Sequence, residues 1–406
     1  MFRRYLAGQA ASTLGDAALL SLFPLAAATV WQAGSAEMGT LGFAQSLPVF
    51  LLALPAGVLV DRVARRRLLV RMDGMRAICL LLLATALTAG AAGWGLFCAI
   101  AALTAAAALT FDVAAQSALP GMVSAGELVR ANARLETARA TGLIAGPAAI
   151  GWLLEERGLV LSLLAVTALY AVSALCYAGL PPEEKPAAAG PRPDFRRQIA
   201  EGLAFVWRQP ALRAISLCAL LWNVAWFALN TVFVLYAGER LGLGAADIGL
   251  AVAGQGIGLL IGSLIAAPLV SRLPVGLSLL IGPVLSALAI PLMMLAPAGG
   301  NLTSLGFLAA GEFCLGLGPS IWVVSSTSLR QQITPTALMG RVAATLRFAT
   351  QGMRPVGAAL GGAVGVWGGM EATLLCAALL FALCIPPIAF AAVFRRPAAS
   401  DAVAAE

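Results

Sequence analysis

RANARLETARATGLIAGPAAIG, residues 130–151, returns 211 positions later (341 − 130) as RVAATLRFATQGMRPVGAALGG, residues 341–362. Arg130, Leu135, Gly146, Ala148 and Gly151 coincide with Arg341, Leu346, Gly357, Ala359 and Gly362. A second echo lies at an offset of 210 (267 − 57), where GVLVDR (57–62) meets APLVSR (267–272) through Leu-Val-x-Arg. Apolar stretches align easily, so each match alone is weak. Two at nearly one offset, both at the same place in the hydropathy pattern, predict a duplicated unit.

The medium around that unit follows from composition. Apolar residues make up 60% of the 406, charged residues only 11%, and mean hydropathy is +0.91. A soluble chain carries roughly 25% charged residues, so lipid must cover part of this one. Windows of about 20 apolar residues, the length that crosses a bilayer, fall near 6–31, 39–60, 72–90, 94–117, 136–155 and 159–180. Six more fall near 211–237, 245–270, 275–296, 303–327, 342–367 and 370–394. The reading is an all-α membrane protein of twelve transmembrane helices in two pseudo-symmetric six-helix bundles. Its expected divisions are 1–180, a linker at 181–210, a second bundle at 211–394 and a tail at 395–406. The linker opens Pro-rich, and 194–207 reads as an amphipathic surface helix.

The net charge of +7 does not point to nucleic acid, because the basic residues collect at one set of span ends. Arg3, Arg4, the Arg62–Arg76 cluster, Arg130, Arg134, Arg139, Arg272, Arg330, Arg341 and Arg347 share that side with the linker and Arg395–Arg396. The other side holds Arg157 and Arg240. The positive-inside rule then places both termini in the cytoplasm of a bacterial inner membrane. Trp31, Trp94, Trp152 and Trp367 fall at the outer ends, as an interfacial belt would. The opening MFRRYLAGQAASTLGDAALL has the basic start of a signal peptide but continues as a first span carrying Asp16, so it is expected to be retained. There is no His, which excludes an imidazole metal site or proton relay, and no metal or cofactor is expected. The seven Cys lie in apolar runs without CxxC spacing and read as packed thiols.

GVLVDRVARRRLL (57–69) resembles the signature loop of the major facilitator superfamily, with Gly57, Asp61, Arg62, Arg65 and Arg66 in place and Ala64 where a second Gly is usual. GLIAGPAAIG (142–151) resembles the fifth-helix signature of proton-driven exporters through Gly142, Gly146, Pro147 and Gly151, with Ile150 departing from it. The runs SALPGMVSAGELVRANARL, DFRRQIAEGLAFVWRQPALRAI and ITPTALMGRV are similar to the drug:proton antiporter branch that holds macrolide-efflux and enterobactin-exporter proteins. The resemblance covers nearly the whole chain. It implies alternating access between two bundles, with spans 1, 4, 7 and 10 lining a central cavity. It also implies a cytoplasmic latch of Asp61, Arg65 and Asp112, the first two spaced for a one-turn ion pair.

Charges inside hydrocarbon are costly and usually functional. Asp16 in span 1, Glu312 in span 10 and Arg354 in span 11 lie near the expected midplane. Desolvation favours a neutral carboxyl, so Asp16 or Glu312 is expected to carry a coupling proton. Asp16 ranks first, because its own span holds no base near it and Glu312 has a candidate partner in Arg354. Arg354 has a second candidate role, binding an anionic group on the substrate. Trp222, Asn223, Trp226 and Asn230 in span 7, with Trp322 in span 10, offer aromatic faces and sparse polar groups. That lining suits small amphipathic organic molecules. The leading expectation is a monomeric, proton-coupled exporter of such molecules. A lipid or lysolipid flippase is the second reading and a transporter-like receptor the third. Catalysis is not expected, since no nucleophile–base pairing and no sizeable soluble domain are present.

Overall fold

A computed structural model of the chain describes residues 1–52, 60, 63–119, 122–124, 127–181 and 195–390. Gly57, Asp61 and Arg62 of the loop signature, the Pro-rich start of the linker and the tail 395–406 lie outside the described residues. The first half comprises α1 (Phe2–Val30), α2 (Ser35–Leu52), α3 (Arg65–Thr88), α4 (Trp94–Ala118) and α5 (Leu128–Ala178). Then come α6 (Phe195–Arg208), α7 (Pro210–Leu235), α8 (Ala245–Arg272) and α9 (Val275–Met294). The chain continues with α10 (Leu302–Ile333), α11 (Thr336–Ala382) and the short α12 (Ile385–Ala389). A π-helical turn, Tyr236–Arg240, finishes α7.

Among the described residues, eight helices are long and apolar enough to cross a membrane. Two of them fold back on themselves. α5 breaks at Gly158 and α11 at Gly369, and each supplies two crossings. The hairpin in α5 shows in its packing: Ala131 near its start and Tyr177 at its end share one core cluster with Tyr5, Leu69 and Phe111. In α11, Thr373 Oγ1 donates to Gly361 O across the break, 3.4 Å away. α2 and α3 complete twelve crossings among the described residues. α3 falls short on composition alone because arginines crowd its first turns.

α1 packs on α5, α3 on α4 and α5, and α2 on α4. In the second half α8 packs on α10, α7 on α11, and α9 on α10 and α11. Contact between the bundles runs along two seams, α5 with α8 and α2 with α11. Both seams are stripes of small residues that let backbones approach, the usual means of helix association in lipid. A Cβ on Gly39 would lie 2.8 Å from Gly362 Cα, so no larger residue fits there without separating α2 from α11. α6 docks at the start of α11 through the Glu201–Arg341 ion pair, with Gly202 against the Arg341 carbonyl.

The bundles meet most closely at the face opposite Met1. There Gly151 abuts Ala245 and Gly249, and Glu155 Oε2 accepts a hydrogen bond from Ala246 N at 2.8 Å. That bond crosses from one bundle to the other and supplies an acceptor to the first turn of α8, whose N-cap Gly244 has no side chain to do so. On the same face Arg240 Nε donates to Glu371 Oε1 (3.1 Å) and Trp31 packs edge-on to Trp94.

Candidate functional site

Three polar regions occupy the interior. The first is an ionic network inside the first bundle. Arg76, about three turns into α3, is fully buried and forms ion pairs with both Asp16 of α1 and Asp73 of its own helix. Its Nη2 also donates to Ser12 Oγ at 3.0 Å, and its guanidinium lies over Tyr170 (4.4 Å) and Phe111 (4.7 Å). Tyr170 Oη donates to Asp16 Oδ1 at 2.7 Å, while Ser12 and Ser173 donate to Asp73. Asp73 is completely buried, whereas the Asp16 side chain keeps 31% exposure. Two carboxylates on one guanidinium leave one net negative charge, and the water-accessible Asp16 is where it can sit.

Asp16 has no base near it on its own helix, as expected, and its partner comes from α3. One sequence expectation is corrected. Arg76, grouped by sequence with the interfacial arginines, is a buried ion-pair partner instead. A periodicity signal for this was absent, since α3 beyond Arg76 is apolar on nearly every face. The clue was Asp73–Arg76 itself, an acid and a base three apart inside a span, the spacing of helix neighbours.

The second region is a small cavity of ≈ 20 Å³ where α1, α7, α8 and α10 converge. Its polar lining is Ser21, Asn230, Gln255 and Glu312; Trp226, Phe233 and Ile248 are among its apolar walls. A space of that size holds about one water. Glu312 is 4% exposed, and no hydrogen bond or ion pair engages it among the described residues. Ser21 Oγ is buried without a partner as well. Asn230 Nδ2 donates to Trp226 O (2.8 Å), which leaves its carbonyl oxygen available. The expected pairing of Glu312 with Arg354 is not formed.

The third region lies between the bundles on the Met1 side. Asp112 of α4 is exposed, yet it stands within electrostatic reach of Arg76 and Arg139 in its own bundle and Arg347 in the other. It therefore faces the gap between the bundles, where Asp112 and Arg347 are both exposed. No hydrogen bond or salt bridge joins Asp112 to Arg65 among the described residues. Arg66 of the loop signature instead caps the end of α5: its Nε donates to Tyr177 O (3.2 Å) and its Nη2 to Ala178 O. Arg4 adds a bond to Gly179 O (2.8 Å), so two cations sit on the negative end of one helix.

On the opposite wall, Asn223, Phe227 and Asn230 recur at helical spacing on one face of α7, and Arg354 of α11 lies over the Phe227 ring at 5.4 Å. Trp222 and Trp226 stack at 5.5 Å with 8° between their planes, and Trp222 Nε1 donates to Ser286 Oγ at 3.0 Å. Asn223 Nδ2 is turned to Ala219 O (2.8 Å). Trp322 packs against Gly282 near α9, its Nε1 without a partner. The fifth-span glycines serve both sides of α5: Gly142 and Gly146 fit against α1, and Gly151 and the Pro147 carbonyl against α8.

The profile of the Major Facilitator Superfamily matches residues 5–246. The uncharacterized MFS-type transporter y4rN of Sinorhizobium fredii (strain NBRC 101917 / NGR234) is 30% identical over 333 residues, covering 80% of this chain and 79% of the relative. Among solved structures, a variant of the nucleoside transporter NupG aligns with a TM-score of 0.81 at 12% identity, covering 97% of this chain and 99% of the other. A POT family transporter in complex with 5-aminolevulinic acid aligns at 0.77 and 10% identity, covering 97% and 96%. A bacterial homolog of the human lysosomal transporter Spinster aligns at 0.67 and 15% identity, covering 96% and 95%. At these identities the structures report the fold.

Proposed function

The chain belongs to the major facilitator superfamily of secondary transporters, and from that premise we propose that it is a proton-coupled exporter of small amphipathic organic molecules. The observation that carries the coupling is Glu312. A carboxylate this deeply buried in the membrane, with no cation beside it among the described residues, is strongly disfavoured, so the group is held neutral in this state. When the bundles part on the face opposite Met1, the cavity opens to water and the proton can leave. Asp16, held by Arg76 and Tyr170, is the weaker candidate for that role.

Orientation follows from the arginines: the Met1 face is cytoplasmic. The open gap then receives substrate from the cytoplasm, and the stacked Trp222–Trp226 pair gives it an apolar platform. Movement proceeds by rocking of the 1–180 and 211–394 bundles about the α5–α8 and α2–α11 seams. The loop signature, with Asp112 of the same bundle, closes the cytoplasmic side in the other half of the cycle.

Everted membrane vesicles test this reading. A fluorescent amphipath such as an acridine or naphthalene derivative should accumulate when the lumen is acid and discharge when a protonophore is added. Accumulation indifferent to the protonophore would remove the proton from the mechanism.

A further inference from the structure

We infer that the substrate of this transporter is an organic anion, and that Arg354 anchors its carboxylate or phosphate against the aromatic wall of α7. The inference rests on the transport reading only for the word substrate; the binding site stands by itself. Arg354 is half-buried at mid-helix, makes no ion pair among the described residues, and keeps a buried Nε without a hydrogen-bond acceptor. Its guanidinium carbon lies 5.4 Å from the Phe227 ring centroid, within cation–π range, and its outer N–H donors make no hydrogen bond among the described residues. A planar guanidinium with free donors is matched by a carboxylate or phosphate, which can accept two parallel bonds.

The surroundings reinforce that sign. Arg347 and Gln351 precede Arg354 on one face of α11 at i, i+4 and i+7. Arg347 is exposed to the gap and adds a second cation near Arg354, while Asp112 contributes one opposing charge from across the gap. Two cations and one anion leave this vestibule positive, and Asp112 stays outside salt-bridge range of both. Asn223 sits one turn before Phe227 on the same face of α7. An apolar body on the tryptophans and an anionic head on Arg354 would satisfy both halves of the lining.

The experiment uses purified full-length protein in an uncharged detergent at low salt. Calorimetry compares four probes with one naphthalene body: 2-naphthoate, 1-naphthyl phosphate, 2-naphthylmethanol and (naphthylmethyl)trimethylammonium. At least one anion should bind about tenfold tighter than the neutral and cationic probes. Arg354→Gln should bring the four within about threefold of one another, and Arg354→Lys should keep part of the preference. A parallel arm compares lysophosphatidylglycerol with lysophosphatidylcholine; an Arg354-dependent preference confined to that arm assigns the anion to a lipid headgroup. Equal binding of all headgroups, no binding of any anion at millimolar concentration, or a preference that survives Arg354→Gln would overturn the inference. The wild-type comparison decides the matter even if Arg354→Gln fails to fold. Flux of the bound probe in proteoliposomes separates the two readings. Anion binding without gradient-driven flux sinks transport and keeps the site, and flux without headgroup preference does the reverse.

Discussion

Gly158 and Gly369 stand 211 residues apart (369 − 158) and hold the same backbone, φ 79°, ψ 174° and φ 80°, ψ 178°. This is the offset that relates the two sequence repeats, so the duplication extends to the conformation of a single turn. Each glycine reverses a long helix into an antiparallel hairpin. The combination of positive φ with extended ψ is nearly closed to residues bearing a Cβ. No atom lies within 4 Å of a Cβ built at either site, so the obstacle is backbone strain and not crowding. Gly158→Ala and Gly369→Ala should each destabilise by about 1–3 kcal/mol, and by similar amounts. Thermal unfolding in detergent reads both; unchanged midpoints would contradict the backbone argument.

The span count, the repeat and both hairpin positions were legible because they rest on hydropathy and identity along one line of sequence. The breaks at 158 and 369 fall within the gaps between expected spans 5 and 6 and spans 11 and 12. What the sequence could not display was which polar groups meet. In lipid the inward and outward faces of a helix are nearly equally apolar, so periodicity does not say that Arg76 faces α1. Asp16 and Arg76 are 60 residues apart, and only packing of α1, α3 and α5 brings them together. The same blindness led to pairing Glu312 with Arg354, two mid-span charges whose helices present them to different spaces. For the tryptophans and asparagines of α7, i, i+3 and i+4 spacing on one helix gives neighbouring faces without tertiary information, but not what those faces meet.

The Arg76 network should behave as a structural unit. Arg76→Gln strands the fully buried Asp73, and loss of a buried partner costs about 3–5 kcal/mol. Adding Asp16→Asn and Asp73→Asn should restore part of that loss, because the uncompensated charges are then gone. Thermal unfolding of the single and triple variants provides the check. An Arg76→Gln protein as stable as the original would mean that the network bears little of the bundle's stability.

Glu155 joins the bundles where they close. Its carboxylate sits at the positive end of α8, an interaction worth up to ~1 kcal/mol at an exposed helix terminus. Glu155→Gln removes the charge and keeps the size. The equilibrium should then move toward opening on the face opposite Met1 by up to roughly fivefold. Paired spin labels at the outer ends of α5 and α8 would report the longer-distance population. An unaltered distance distribution would reduce the bond to a passive contact.

Glu312 and Asp16 make opposite predictions, and the contrast locates the proton. Glu312 has no cation to abandon, so Glu312→Gln should leave thermal stability equal or slightly higher, since a carboxylate ionised in the unfolded chain must first take up a proton to be buried and an amide need not. Substrate binding should persist, because the amide preserves shape and hydrogen bonding. Uphill transport driven by ΔpH should be lost, while one-for-one substrate exchange, which moves no net proton, should continue. Asp16→Asn should instead retain ΔpH-driven transport: Arg76 keeps Asp73 as counter-ion, and the network changes from one net negative charge to neutral. The two variants are compared in proteoliposomes with the same probe, measuring both uphill uptake and exchange. If Asp16→Asn abolishes uphill uptake and Glu312→Gln does not, the coupling proton belongs to the Arg76 network and the Glu312 cavity is only a hydrated gap.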